Sequence, residues 1–137
     1  ISRSIPNYIG NLSLLQRSNL SYNEPTLSIP LKLWGLENLL FLDLSSNYFG
    51  GSLSPNMSEL DGIVFMNLSR NQIIGNIPSI VGSFESLRSL DLLKNSFQGD
   101  ISKSFERMKG LDLLDLSNNN LSGAIPSLLR HFHISSI

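Results

Sequence analysis

The stretch that decides the fold is Leu111-Asp112-Leu113-Leu114-Asp115-Leu116-Ser117-Asn118-Asn119-Asn120-Leu121-Ser122-Gly123-Ala124-Ile125-Pro126. Its pattern returns every 24 residues along the chain without an insertion, in an asparagine series and in an aliphatic series. The asparagines are Asn23, Asn47, Asn71, Asn95 and Asn119, and the aliphatic residues are Ile5, Ile29, Leu53, Ile77, Ile101 and Ile125. A fixed period of this length indicates a repeat protein, in which each unit packs on its neighbours.

Each repeat contains a short segment in which apolar and polar residues alternate, such as Leu42-Asp43-Leu44. Alternation with a period of two predicts a β-strand with one buried face. One such strand cannot bury its apolar face alone, so the strands of successive repeats are expected to stack into a parallel sheet. We predict an α/β solenoid spanning 1–137 as one domain, with this sheet on its concave face and short 3-10 or irregular segments on its convex face. Its repeats are about 5–28, 29–52, 53–76, 77–100, 101–124 and a partial 125–137.

The repeated columns also predict the core and the turns. The asparagine series is expected to form a ladder whose side-chain amides satisfy backbone groups in the turns. Another apolar column, seven residues after the aliphatic series, is expected to be buried: Leu12, Leu36, Leu60, Phe84, Met108 and Phe132. The first repeat departs most from the pattern, since Ser18 occupies a core column and Leu27 replaces a turn glycine. We expect this repeat to be locally loose.

Composition excludes several classes of function. The formal net charge is -1, which lacks the basic excess that nucleic-acid binding requires, and there is no cysteine for a disulfide or a thiolate metal site. No apolar run reaches the about 20 residues of a membrane-spanning helix, so this chain is not expected to insert into a membrane. No catalytic motif is present, and we expect neither an enzyme nor a cofactor nor a metal site. His131 and His133 lie where the repeat pattern fades, and two histidines alone make a poor metal site.

The segment from Leu111 to Pro126 closely resembles the plant-type extracellular leucine-rich repeat, and its Gly-x-Ile-Pro ending is the plant-specific part. The order of repeat variants is similar to the membrane-proximal repeats of the receptor-kinase group that includes the flagellin and elongation-factor receptors. This resemblance implies an ectodomain fragment at the extracellular face of the plasma membrane, in the apoplast, whose single-pass parent carries a Ser/Thr kinase. It further implies a peptide or protein ligand and a co-receptor ectodomain as partners, in immune or developmental signalling. The alternative is a soluble apoplastic inhibitor similar to polygalacturonase-inhibiting proteins.

The solvent-facing strand positions supply the candidate binding residues. A large apolar patch on adjacent strands is typical of an interface, whereas the alternative is that it packs under a flanking segment. The patch consists of Leu40, Phe41, Val64 and Phe65. Three cations on nearby strands are candidates to hold an anionic group such as a peptide carboxylate, unless neighbouring aspartates neutralise them. They are Arg70, Arg88 and Lys94.

Two further sets of polar residues have less specific meanings. The aligned aspartates Asp43, Asp91 and Asp115 are interpreted as exposed strand residues, because no nucleophile, histidine or further ligand joins them. Five Asn-x-Ser sequons are candidate glycosylation sites, at Asn11, Asn19, Asn56, Asn67 and Asn120. Asn11 and Asn56 are expected on the convex side, whereas Asn19 and Asn67 are expected on the concave strands, where a glycan would restrict a ligand.

Overall fold

The structure is a computed structural model that describes residues 4–132. It is a solenoid of stacked repeats with two parallel sheets and short 3-10 helices, so the predicted fold class is confirmed. The concave sheet contains β1 (Arg17–Asn19), β2 (Phe41–Asp43), β3 (Phe65–Asn67), β5 (Ser89–Asp91) and β7 (Leu113–Asp115), in that spatial order. The second sheet contains β4 (Ile74–Asn76), β6 (Ser96–Asp100) and β8 (Asn120–Ser122).

The concave sheet converts the sequence period directly into spatial columns. Each strand pairs in parallel with the next so that residues 24 positions apart are neighbours, as in Ser18 with Leu42 and Leu42 with Met66. The middle residue of each later strand points into the core, and Leu42, Met66, Leu90 and Leu114 are almost fully buried. The first and third residues of each strand therefore face solvent in two straight columns along the solenoid.

The second sheet was not predicted from the sequence. Its strands follow the asparagine turns, and each passes through or ends beside a glycine with positive φ, 80° at Gly75 and 75° at Gly99. Added Cβ atoms at these positions would also come within 3.2 Å of Ser52 Cβ and 2.6 Å of the Asn76 amide oxygen, respectively. Glycine is therefore required here both by the backbone conformation and by the close approach of the preceding repeat.

The convex side is formed by 3-10 helices, as the sequence indicated. Proline at the residue before several of them fixes φ near the value at which such a turn begins, as at Pro30 (φ −66°) and Pro78 (φ −60°). Each turn closes with a short backbone hydrogen bond and buries one or two apolar residues, such as Leu33 and Val81. The helices span Asn7–Asn11, Leu31–Gly35, Ser58–Leu60, Ser79–Ser83, Lys103–Arg107 and Ser127–Leu129.

The asparagine ladder connects each repeat with the one before it. The side-chain amide of Asn71 donates to the carbonyls of Leu68 in its own turn, at 3.0 Å, and of Leu44 in the preceding repeat, at 2.9 Å. Its oxygen accepts the backbone N–H of Phe49, also in the preceding repeat, at 3.0 Å. Asn47, Asn95 and Asn119 make the same kind of bridge. The ladder therefore ties the turns of consecutive repeats into one continuous network.

One predicted core residue is exposed. Leu12 has 51% of its surface accessible, whereas Leu36 and Leu60 in the same column are buried. Leu12 lines an apolar hollow at the first repeat together with Ile5 and Leu20, and within residues 4–132 no earlier repeat stacks over it. The prediction that every residue of this apolar column is buried is wrong at Leu12, because in a solenoid such a residue is covered by the neighbouring repeat and not by its own.

Candidate ligand-binding surface

A stack of three side chains lies on the concave face. The parallel register places Phe41 directly beside Phe65, and their rings lie parallel with centroids 4.4 Å apart and planes 6° apart. The guanidinium carbon of Arg17, the register partner on the other side, lies 4.4 Å from the Phe41 ring centroid. A cation above an aromatic face is attracted by the ring quadrupole, so Arg17 caps one end of the stack. Arg17 was not among the residues singled out from the sequence.

The predicted apolar patch is brought together on this face. Leu40 and Val64 precede β2 and β3, and they are 40% and 39% exposed, respectively. Their backbones are held in line because Val64 N–H donates to the Leu40 carbonyl at 2.9 Å. With Phe41 and Phe65, which are half-buried, they form a continuous apolar strip at the amino-terminal edge of the strands. In the described part of the chain, Leu40 and Val64 of this strip are exposed to solvent.

Arg70 and Lys94 occupy the same position of successive turns at the other end of the strands. Both adopt left-handed backbone conformations, with φ of 56° and 57°, as do Tyr22, Ser46 and Asn118. Arg70 and Lys94 line one shallow depression with Tyr22 and Tyr48. This conformation is costly for a non-glycine residue, but it recurs in five successive turns and is therefore a property of the repeat. Arg70 and Lys94 supply the exposed side chain at two neighbouring turns.

Arg88 does not join these two cations. It precedes β5 and so lies at the amino-terminal end of the strand, whereas Lys94 follows the carboxyl-terminal end. Its guanidinium lies against Gly110, since a Cβ added there would be 1.5 Å from Arg88 Nη1. Of the three candidate cations, Arg70 and Lys94 therefore line one depression, whereas Arg88 lies at the opposite edge of the concave sheet.

The aspartate column has a structural role. The Oδ1 atoms of Asp43, Asp91 and Asp115 accept backbone N–H groups two residues later, from Ser45, Leu93 and Ser117, at 2.9 to 3.0 Å. These side-chain turns end each strand, and Asn19 and Asn67 do the same in their repeats. The aspartates are half-buried, so each side chain faces solvent in part and also ends its strand through a hydrogen bond, a role that the sequence interpretation did not include.

Asp91 has an altered protonation equilibrium. Burial raises the pKa of its carboxyl, the hydrogen bond from Leu93 N–H opposes this, and the negative charge of Asp115 adds to the rise. Asp91 and Asp115 are direct register partners on adjacent strands, where like charges repel. The positive charge of the nearby Arg70 opposes this rise in the pKa of Asp91.

The five sequon asparagines are distributed over different surfaces. Asn11 ends the first 3-10 helix and Asn56 precedes the third, and both are exposed on the convex side. Asn120 is exposed at the start of β8 in the second sheet. Asn19 and Asn67 end strands of the concave sheet, and Asn67 is the register partner of Asp91. A glycan at Asn67 would therefore lie on the concave face itself.

Between residues 4 and 132 no group of three or more potential ligating side chains converges on one point. His131 is exposed, and His133 lies outside the described residues. Over the same range, none of the helices has both the length and the apolar content needed to cross a bilayer.

A family comparison matches four segments to the leucine-rich repeat model, at residues 38–60, 62–84, 86–108 and 110–132. These segments make up more than half of the chain. The family is a structural repeat, in agreement with the expectation that this chain is not an enzyme. Among curated proteins, none matches at the significance required.

Several solved structures share the fold. The Arabidopsis receptor kinase HAESA, solved with the peptide hormone IDA and the co-receptor SERK1, has 36% identity and a TM-score of 0.89, covering 94% of this chain and 22% of that one. The ectodomain of the Arabidopsis thaliana receptor kinase GASSHO1/SCHENGEN3, solved with CASPARIAN STRIP INTEGRITY FACTOR 2, has 35% identity and a TM-score of 0.89, covering 92% and 15%. A plant ice-binding protein has 29% identity and a TM-score of 0.80, covering 90% and 40%.

The chain thus spans 22% of the length of the HAESA structure and 15% of that of GASSHO1/SCHENGEN3. The chain belongs to the leucine-rich repeat family, and its fold is that of plant receptor-kinase ectodomains.

Proposed function

We propose that this chain is a ligand-recognition module of a plant cell-surface receptor kinase or receptor-like protein, binding a peptide or protein through its concave face. The observation that carries the proposal is the exposed apolar strip built around the Phe41–Phe65 stack. Aromatic side chains held rigidly in an apolar patch are the usual anchors of protein interfaces. The similar receptor kinase HAESA was solved with a peptide hormone, and the ectodomain of GASSHO1/SCHENGEN3 with CASPARIAN STRIP INTEGRITY FACTOR 2, which supports a peptide or protein partner here.

The polar part of this function is assigned to Arg70 and Lys94. Their side chains project from one depression at the carboxyl ends of the strands, where two cations can hold a carboxylate or another anionic group of the ligand. Arg88, at the other edge, is positioned to contact a different part of an extended ligand. A co-receptor ectodomain is proposed as a second partner, since HAESA was solved with one.

The parent protein is proposed to be a single-pass membrane protein with this region in the apoplast, in immune or developmental signalling. Closer kinship with the flagellin and elongation-factor receptors stays a prediction. Glycans are proposed at Asn11, Asn56 and Asn120, which leave the concave face open, whereas Asn19 and Asn67 would carry glycans on it. Peptide mapping of the chain secreted from plant cells, before and after glycan removal, checks each sequon separately.

The function is tested by selecting binders from a displayed library of random peptides on the immobilised chain. Phe41→Ala and Phe65→Ala are expected to weaken a selected peptide at least about 10-fold each, as truncated anchors do. Ile74→Ala is the matched control, because Ile74 is a 52% exposed apolar residue on the second sheet. Selection of no concave-face binder, or equal losses in all three variants, would contradict the proposal.

A further inference from the structure

The Phe41–Phe65 stack has one capped end and one open end. Arg17 covers Phe41 on one side, whereas the neighbour of Phe65 on the other side is Ser89, whose side chain is too short to reach the ring. The next residue in the column is Leu113, which is 47% exposed. The column therefore contains a notch over Ser89, with Phe65 as one wall and Leu113 as the other.

The width of the notch follows from the sheet geometry. Adjacent strands are about 4.8 Å apart, so Phe65 and Leu113 are separated by two such spacings, roughly 10 Å. Aromatic rings stack with centroids about 4.5–7 Å apart, and the existing pair in this column is at 4.4 Å. One planar ring placed over Ser89 would therefore contact Phe65 on one face and Leu113 on the other.

The charges beside the notch determine what accompanies the ring. Asp91 and Asp115 lie two residues further along the same strands, on the same face as Ser89 and Leu113, and they are register partners. Their Oδ1 atoms are engaged by backbone N–H groups, and like charges directly opposite on adjacent strands are unfavourable. Arg70 already interacts favourably with Asp91, and a cation placed between the two carboxylates would relieve their repulsion further.

We propose that the notch over Ser89 is a specificity pocket for an aromatic side chain of an extended peptide, and that a basic residue adjacent in the peptide lies against Asp91 and Asp115. This pocket rests on the proposed function, since it names the chemistry of the ligand that the concave face receives. It extends the row Arg17, Phe41, Phe65 by one further ring, supplied by the ligand.

The test uses the unglycosylated chain with ¹³C-labelled leucine methyl groups and three capped dipeptide amides at millimolar concentration. N-acetyl-Trp-Lys-amide is expected to shift the Leu113 methyl resonances upfield, through the ring current of the indole. N-acetyl-Leu-Lys-amide is expected to bind roughly 3- to 10-fold more weakly, because it lacks the stacking contribution. N-acetyl-Trp-Glu-amide is expected to bind more weakly still. Equal affinity of the Trp-Lys and Leu-Lys probes, or no shift at Leu113, would overturn the pocket.

Two variants make the assignment specific. Ser89→Phe fills the notch with the chain's own ring and is expected to abolish the Trp-Lys shifts, whereas Ser89→Ala leaves the notch open and retains them. Phe65→Leu removes the stacking wall while keeping an apolar side chain, and is expected to reduce the preference for Trp over Leu to about twofold or less; it gives the answer even if Ser89→Phe misfolds. Unchanged Trp-Lys binding in folded Ser89→Phe, or an unchanged Trp preference in Phe65→Leu, would also overturn the pocket.

The two experiments distinguish failure of the pocket over Ser89 from failure of the proposed recognition function. A peptide library that selects concave-face binders without aromatic residues would leave the recognition function standing and overturn this pocket. Trp-Lys shifts at Leu113 without any library-selected peptide would support the pocket while contradicting the broader proposal.

Discussion

The first repeat and the fourth repeat occupy equivalent positions in the sequence period but differ in how they are held. In the fourth, Leu90 is fully buried and Asn95 bonds to the carbonyl of Leu68 in the preceding repeat. In the first, Ser18 takes the place of that leucine, and the Asn23 amide bonds only to Leu20 and Ser21 of its own turn. A repeat of this fold therefore obtains much of its stability from contacts with the repeats on either side. Substitutions at four pairs of equivalent positions in the first and fourth repeats can measure this contribution.

The ladder asparagines are expected to give the largest contrast. Asn95→Ala removes the bonds to the carbonyls of Leu68 and Leu92 and leaves the Ile73 N–H without its acceptor. We expect a loss of about 3 kcal/mol in the free energy of unfolding, from about 1 kcal/mol per bond. Asn23→Ala is expected to cost about 1 kcal/mol or less, because its amide reaches only exposed groups of its own turn. Urea unfolding followed by circular dichroism measures both, and equal losses would show that bridging to the neighbour contributes little.

The core column gives the second contrast. Ser18→Leu places in the first repeat the residue type that fills this column in the fourth, opposite Leu42. We expect it to stabilise the chain by about 1–2 kcal/mol, since it buries an additional apolar side chain. Slower hydrogen exchange confined to residues around 17–23 would locate the effect and support the expectation that this repeat is loose. A faster exchange there would show that the serine is accommodated by a different packing.

The left-handed turn positions provide the third pair. Tyr22 and Lys94 have nearly the same φ, 55° and 57°, despite lying in unlike repeats. Lys94→Gly and Tyr22→Gly are each expected to stabilise the fold by about 0.5–1 kcal/mol. Glycine relieves the backbone strain of the left-handed conformation, and this gain exceeds the cost of the greater conformational entropy that glycine gives the unfolded chain. Lys94→Gly is also expected to weaken binding of an anionic ligand, a cost that Tyr22→Gly avoids. Thermal unfolding of both variants would contradict this if only one gained stability.

The smallest contrast is expected at the last strand position, where Asn19 in the first repeat is equivalent to Asp91 in the fourth. The pKa of Asp91 is raised in the folded protein, so the folded chain binds the carboxyl proton more tightly than the unfolded chain does. Ionisation of Asp91 therefore lowers the free energy of unfolding as the pH rises through the raised pKa. Asp91→Asn keeps the turn, as Asn67 does in the repeat before, and is expected to be more stable than the parent at neutral pH. The difference is expected to disappear in acid, below the pKa of an unfolded aspartate. Asn19→Asp, in the first repeat, serves as the reverse change, and unfolding midpoints from pH 3 to 7 measure both.

The sequence predicted the elements that one repeat encodes by itself, and it missed those that depend on a neighbour. The core column that contains Leu42, Met66 and Leu90 is recognisable from its 24-residue period, because these residues are buried in the same way in successive repeats. The second sheet is not, since strands such as Ile74–Asn76 contain a central glycine and lack apolar alternation. They are strands only because the adjacent repeats supply hydrogen-bond partners.

The candidate binding face shows the same division. The Phe41–Phe65 patch could be predicted because the parallel register makes residues 24 positions apart neighbours. The cap supplied by Arg17 could have been predicted from the same column, where a cation precedes two aromatic residues. The separation of Arg88 from Lys94 depends on side-chain direction and strand length, which spacing in the sequence does not specify.

The asparagine ladder and both sheets direct their hydrogen bonds along the long axis of the solenoid, from each repeat to the next. Tension applied between the two ends of the solenoid would therefore pull along these hydrogen bonds and separate one repeat at a time, instead of loading the bonds of many repeats in shear at once. Each event would release 24 residues, or about 80 Å of extended chain. A domain built in this way would respond to stretching as a series of small, separately recoverable extensions.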